Sequence, residues 1–249
     1  AVFERFFGRK PVGIWLSEGG VSEDALAQLD EMKFAWTASG EGVWRNSCAK
    51  SDCPEAELQS KHALFSPARI DDFKARVFFR DDGLSDLIGF KYSEWHADDA
   101  VADFVRHLEN IASFFETDAD QHVVSVILDG ENAWEYYPDN GHYFLDALYK
   151  TLSSHPTLKV STFAEQAAHA PAKPMKRLAA GSWVYGNFST WIGSEDKNRG
   201  WDYLVAAKQA YDSVIAAGKL SADQQTLATR QLAVCEGSDW FWWFGDYNP

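Results

Sequence analysis

The feature that most constrains the fold is a rhythm. Short apolar runs alternate with stretches of helical periodicity through the first two thirds of the chain. Val12-Gly13-Ile14-Trp15-Leu16 predicts a buried strand, Phe34–Thr37 the next and Arg76–Phe79 a third. Val123–Leu128 is almost continuously apolar and β-branched, which predicts a strand covered on both faces. A helix is expected from about Val21 to Lys33, with Ser22 as its N-cap and Glu23 and Asp24 in the first turn, where the helix dipole favours acids. Another fits Ala97–Phe115, where Val101, Phe104, Val105, Leu108, Ala112 and Phe115 recur at three- and four-residue spacing. Tyr143–Leu152 reads as a third helix and Lys159–Ser161 as a last short strand. Alternating strand and helix implies parallel strands joined by crossovers.

Two stretches interrupt the rhythm. Ala38–Ala75 is polar with little periodicity, and so predicts a long loop or insertion. Ala170-Pro171-Ala172-Lys173-Pro174 reads as a linker or subdomain boundary, which divides the chain into 1–170 and 171–249. Beyond it the pattern is mainly helical, around Trp201–Ile215 and Ser221–Val234.

Composition narrows the function. A formal net charge of −14 argues against nucleic acid and anionic membranes, both of which need a basic footprint. No apolar run approaches the roughly 18–20 residues of a membrane span. The first ten residues lack the apolar core of a signal peptide, and no initiator Met is present, so an upstream segment is expected. Cys48 and Cys53 lie five apart in a polar stretch, open to a loop disulfide, a metal pair or two idle thiols. Idle thiols in a reducing cytoplasm are the default expectation. The seven histidines show no metal-ligand spacing, and no cofactor is implied. Eleven tryptophans are the compositional outlier, and aromatic faces serve both as core fillers and as platforms for sugar rings.

The chemistry is signalled by position. Three predicted strands run into polar groups: Ser17-Glu18 after Leu16, Arg80-Asp81 after Phe79, and Asp129-Gly130-Glu131 after Leu128. In parallel barrels and open α/β sheets, sites form at the carboxyl ends of strands. Several carboxylates delivered to one rim is the arrangement a two-carboxylate glycosidase needs.

Three stretches then occur in order: Gly13–Glu18, Leu128–Tyr137 and Glu236–Trp243. Together with Leu84–Phe90 and Trp191-Ile192-Gly193, the set resembles glycoside hydrolase family 57, in particular its amylopullulanase-like and α-amylase-like members. The resemblance implies an α/β fold that is part of a (β/α)7 barrel, strands from about the fourth onward, followed by a mainly helical region. It implies retaining cleavage or transfer of α-glucosidic bonds in an α-glucan or maltooligosaccharide. Glu18 falls on the implied nucleophile and Asp129 on the implied general acid/base. Glu131 is then a supporting carboxylate, Trp15 and Trp134 line the sugar site, and Asp239 and Trp240 line it from the helical region. The family's His-Gln-Pro motif does not occur here, so the first three strands are expected to be missing. The edge of the first strand is then open to that missing half or to another copy of the chain. If the pair separates in space, the alternative is a non-catalytic glucan-binding fragment or subunit.

Overall fold

A computed structural model describes residues 2–115, 118–130 and 133–245. The chain divides into two compact units, Ala1–Gly186 and Asn187–Pro249. The first is an α/β unit built on a mostly parallel five-stranded sheet. Its strands are β1 (Gly13–Ile14), β2 (Trp36–Ser39), β3 (Ala68–Ile70), β4 (Arg76–Phe79) and β5 (Lys173–Met175), in the order β1-β2-β4-β3-β5. The pairs β1–β2, β2–β4 and β3–β5 are parallel, and β3–β4 is antiparallel, so the all-parallel expectation fails at that pair. β1 lies at the edge of the sheet, its ladder running to β2.

Helices α1 (Val2–Phe7) and α2 (Glu23–Glu31) flank β1. The expected Ser22 cap is in place, its Oγ accepting from Ala25 N at 3.1 Å, and α2 buries Leu26 and Leu29. The polar stretch 38–75 is not a loop. It forms α3 (Glu41–Lys50), α4 (Glu55–Ser60), a 3₁₀ turn at His62–Phe65 and β3. Its periodicity is hidden because α3 buries Glu41 and Ser47 beside Val43, Trp44 and Cys48. Ser47 is accommodated by donating to Val43 O at 2.7 Å and accepting from Ala179 N at 2.8 Å. A buried polar side chain so satisfied reads in the sequence as a surface residue.

Next come α5 (Asp82–Phe90) and α6 (Ala97–Phe114), then α7 (His142–Ser153) and α8 (Phe163–His169). The α6 stripe is as its spacing predicts, with Ala100, Val101, Phe104 and Val105 buried against α7 residues Phe144 and Leu148. Val123–Leu128 departs from expectation. It is extended but makes no ladder, only one parallel bridge from Ser125 to Arg80. Its polar groups go elsewhere: Val123 N donates to Phe65 O (2.8 Å), Ile127 N to Ser85 Oγ (3.2 Å), and Ile127 O accepts from Arg80 Nε (2.9 Å). β3 already occupies the first half of that edge of β4, and side chains serve the rest. Lys159–Ser161 is exposed and carries no strand. The Ala170–Pro174 segment, read as a linker, runs into β5 and pairs with β3.

The second unit holds α9 (Glu195–Ala216), α10 (Ala222–Cys235) and α11 (Asp239–Trp243). Ser221 and Gln224 form a capping box on α10, and Tyr211 joins α9 to Thr229 of α10 at 2.8 Å. Trp201 stacks on buried Phe241 with ring centroids 4.1 Å apart. Beside them Lys197 is buried, its Nζ donating to Thr190 O and Phe241 O, and burial pulls its pKa down. Among the described residues no helix is long and apolar enough to cross a membrane, and no cluster of three His, Cys, Asp or Glu could hold a metal ion.

Candidate active site

β1, β2 and β4 run in the same direction, and Ser125 continues that direction beside Arg80. Arg80 N donates toward β2 (Ser39 O, 2.9 Å), and Asp81 N donates the other way (Ser125 O, 2.9 Å). The Val123–Leu128 segment therefore lies on the side of β4 opposite β2, since successive amides along a strand face opposite ways. The residues that follow these four segments share one end of the sheet: Glu18, Glu41, the Arg80-Asp81-Asp82 run and Asp129. Parallel strands put their loop-borne polar groups at that carboxyl end.

Glu18 sits in a tight 3₁₀ turn, Ser17–Gly19, directly after Leu16. Its backbone is left-handed, φ 55° and ψ 26°. For a residue with a β-carbon that conformation is sparsely populated and persists only where neighbours enforce it. The enforcing contacts are visible. Ser39 Oγ, fully buried at the end of β2, donates to Gly19 O at 2.6 Å. Trp183 N donates to Glu18 O at 3.1 Å, and Val21 and Gly181 exchange backbone hydrogen bonds beside it. Gly19 is itself left-handed at φ +57°, and an added Cβ would stand 2.5 Å from the Trp15 ring. The side chain is oriented as well: the Trp183 indole Nε1 donates to Glu18 Oε2 at 3.1 Å. Trp15 meets Trp183 edge to face, centroids 5.1 Å apart.

Beneath Trp183 lies Arg80, only 9% exposed, its guanidinium carbon 5.5 Å from the indole ring centre. Arg80 donates through Nε to Ile127 O, through Nη1 to Asp82 Oδ1 (2.7 Å) and through Nη2 to Asp86 Oδ1 (2.5 Å). Burial pushes the Asp82 carboxyl above the usual range, opposed by the Arg80 charge. Asp81, buried, accepts from Leu84 N at 2.8 Å and so caps α5.

Glu41 opens α3 after β2. Burial alone would raise its pKa, but Lys61 (2.8 Å) and Arg45 (2.6 Å) outweigh that and hold it below the usual value. A depressed folded-state pKa favours the folded protein above the unfolded-state value, and that contribution is lost as pH falls through the folded one. Glu41→Gln is thus expected to cost about 1–3 kcal/mol at neutral pH, the penalty for breaking a charge-assisted buried network. The difference from the parent should shrink on acidification below the carboxylate range. Urea unfolding at pH 7 and pH 3 measures it; an undiminished difference at pH 3 would place the effect in packing.

The other sequence-predicted residues are distributed as follows. Asp129 is exposed, two residues beyond Ile127. Glu131 lies outside the described residues. Trp134 is half-buried and packs edge to face on Tyr137 (5.5 Å) and against Phe144. Tyr137 is buried there, which pushes its pKa up to about 12. Asp239 and Trp240 belong to the second unit. Asp239 accepts from Trp243 Nε1 at 3.2 Å, and Trp240 Nε1 donates to Val234 O at 2.8 Å. Trp15, singled out in the sequence, packs on Trp183, which the sequence leaves among the undifferentiated tryptophans. The hydrogen bond from Trp183 to Glu18 spans 165 residues, and no local pattern encodes that.

The fold has solved counterparts. A family-57-type branching enzyme from the hyperthermophilic archaeon Pyrococcus horikoshii superposes with a TM-score of 0.74 at 16% identity, over 99% of this chain and 55% of that one. The α-amylase AmyC from Thermotoga maritima gives 0.67 at 15% identity, over 98% and 56%. A 4-α-glucanotransferase from Thermococcus litoralis gives 0.56 at 16% identity, over 84% and 30%. The chain thus spans about half the length of the first two. Comparison with curated protein sequences returns no match. The sequence profile of glycosyl hydrolase family 57 matches residues 1–179, and the chain belongs to that family.

Proposed function

We propose that this chain is the part of a retaining α-glucan-active glycosidase or transglycosylase that carries both reacting carboxylates, Glu18 and Asp129. The observation that carries the reading is the fixing of Glu18. A left-handed turn after β1 and an indole hydrogen bond fix that carboxylate just beyond the carboxyl end of a parallel strand, where reacting groups gather.

In this reading the Glu18 carboxylate attacks the anomeric carbon while Asp129 gives its proton to the departing glycosidic oxygen. The C–O bond to the leaving sugar breaks as the bond to Glu18 forms. Asp129, now ionised, takes a proton from water or from an acceptor sugar hydroxyl, whose oxygen displaces Glu18. Water as acceptor gives hydrolysis, and a sugar gives transfer. Trp15 and Trp183 offer aromatic faces beside Glu18. The first unit, Ala1–Gly186, is then the latter part of a (β/α)7 barrel.

On a flat sheet Glu18 and Asp129 would stand three strand spacings apart, about 14 Å. Retention requires roughly 5–5.5 Å between the carboxyl groups. The reading therefore requires the sheet to curve as a barrel wall does, so that the two carboxyl groups converge. A cytoplasmic location completes the proposal, in keeping with the free thiols of Cys48, Cys53 and Cys235.

The test is product analysis on the complete natural polypeptide. Incubated with maltooligosaccharides, glycogen and pullulan, it should release or transfer glucosyl units whose first-formed anomer, followed by NMR, is α. A β-anomer as first product would exclude the direct attack by Glu18.

A further inference from the structure

We infer that Arg80 is a positioning residue for Asp129, registering the acid-bearing segment against the sheet, an inference that rests on the reading of Glu18 and Asp129 as the reacting pair. Glu18 has anchors of its own in Ser39 and Trp183. The Val123–Leu128 segment has no ladder, and close to Asp129 its position depends on side chains. Arg80 Nε reaches Ile127 O at 2.9 Å, two residues before Asp129, and Ser85 Oγ accepts from Ile127 N at 3.2 Å. Both backbone groups of one residue are thus held by the β4–α5 corner.

Arg80 is suited to the role because each of its branches is used. Nη1 and Nη2 are fixed on Asp82 and Asp86 at either end of the first turns of α5, and the Trp183 ring covers the guanidinium face. A planar fork clamped by two carboxylates and a ring leaves Nε no freedom, so Ile127 O is held at a set position. The ion pairs are not merely decorative surface contacts, because Arg80 itself is buried at the strand end. Lysine at this position would keep the charge but not the planar three-nitrogen fork that reaches Ile127 O, Asp82 and Asp86 at once.

The experiment separates acid placement from folding through the leaving group. A glycosidic oxygen leaves poorly and needs the Asp129 proton, whereas fluoride leaves without it. In the complete polypeptide, Arg80→Lys should lower kcat/KM on a maltooligosaccharide by about a hundredfold, the cost of a misplacement near 1 Å. The same variant should lose less than about fivefold on α-maltosyl fluoride. Ser85→Ala, a smaller change that keeps Arg80, should show the same leaving-group dependence at about tenfold, and it decides the matter if Arg80→Lys fails to fold. Equal losses on both substrates, or no loss on either, would overturn the inference. A parent enzyme inactive on both substrates would bring down the glycosidase reading itself, an outcome distinct from an active parent with insensitive variants.

Discussion

Glu18→Gln is expected to reduce turnover on α-glucans by at least about a thousandfold, some 4 kcal/mol of transition-state stabilisation. The amide keeps the hydrogen bond from the Trp183 indole if its oxygen faces Nε1, so the left-handed turn and the fold are preserved. What it loses is the negative charge that forms the bond to the anomeric carbon. Asp129→Asn should lower kcat/KM by about 10²–10⁴, and by less on a glycosyl fluoride, whose departure needs no proton. Steady-state kinetics on both substrate types, with circular dichroism to confirm folding, decides each assignment. Near-normal turnover in either variant removes that residue from the mechanism, and in both it favours a glucan-binding role without catalysis.

The second large effect is on stability. Gly186→Ala is expected to destabilise the first unit by about 2–4 kcal/mol and to depress activity with it. Gly186 has φ +69°, a region costing an L-residue about 1–2 kcal/mol. A β-carbon there would also lie 2.5 Å from the Gly42 carbonyl carbon, which is backbone at the start of α3 and cannot rotate away. Overpacking of that kind adds about 1–3 kcal/mol. The same approach is pinned by Asn46 Nδ2 donating to Gly186 O at 2.9 Å, and it brings the 183–186 stretch, with the Trp183 indole, over Glu18. Gly89→Ala in α5 is the control, since nothing stands within 4 Å of its added carbon. It should leave the urea midpoint unchanged or slightly raised. Equal midpoints for the two variants would show that the Gly42–Gly186 approach relaxes freely.

What the sequence makes legible follows from how locally each feature is encoded. The Ser22 cap, the α6 stripe and the Arg76–Phe79 strand are specified by neighbours in the chain, and each stands where the pattern places it. β1, just before Glu18, is legible for the same reason, as an apolar run that stops at an acid. α3 is not, because its buried face holds Glu41 and Ser47, whose partners Lys61 and Ala179 are distant in sequence. Nor is the state of Val123–Leu128. Its β-branched run has the composition of a strand, yet the neighbouring edge of β4 is already half occupied by β3. Arg80 stands at a visible strand end, but its role emerges only when Ile127, Asp82, Asp86 and Trp183 surround it.

That half-occupied edge has a mechanical consequence. Glu18 is built into the sheet, and shifting it means breaking the turn that β1 and β2 hold between them. The segment before Asp129 is tied to Phe65, Arg80, Asp81 and Ser85 by hydrogen bonds rather than by a ladder, with Val124, Val126 and Leu128 packed into the core. Its register therefore rests in part on side chains, whereas β1 is registered by backbone pairing with β2. A change at Ser85 is thus expected to shift the segment before Asp129 and to leave the Glu18 turn in place.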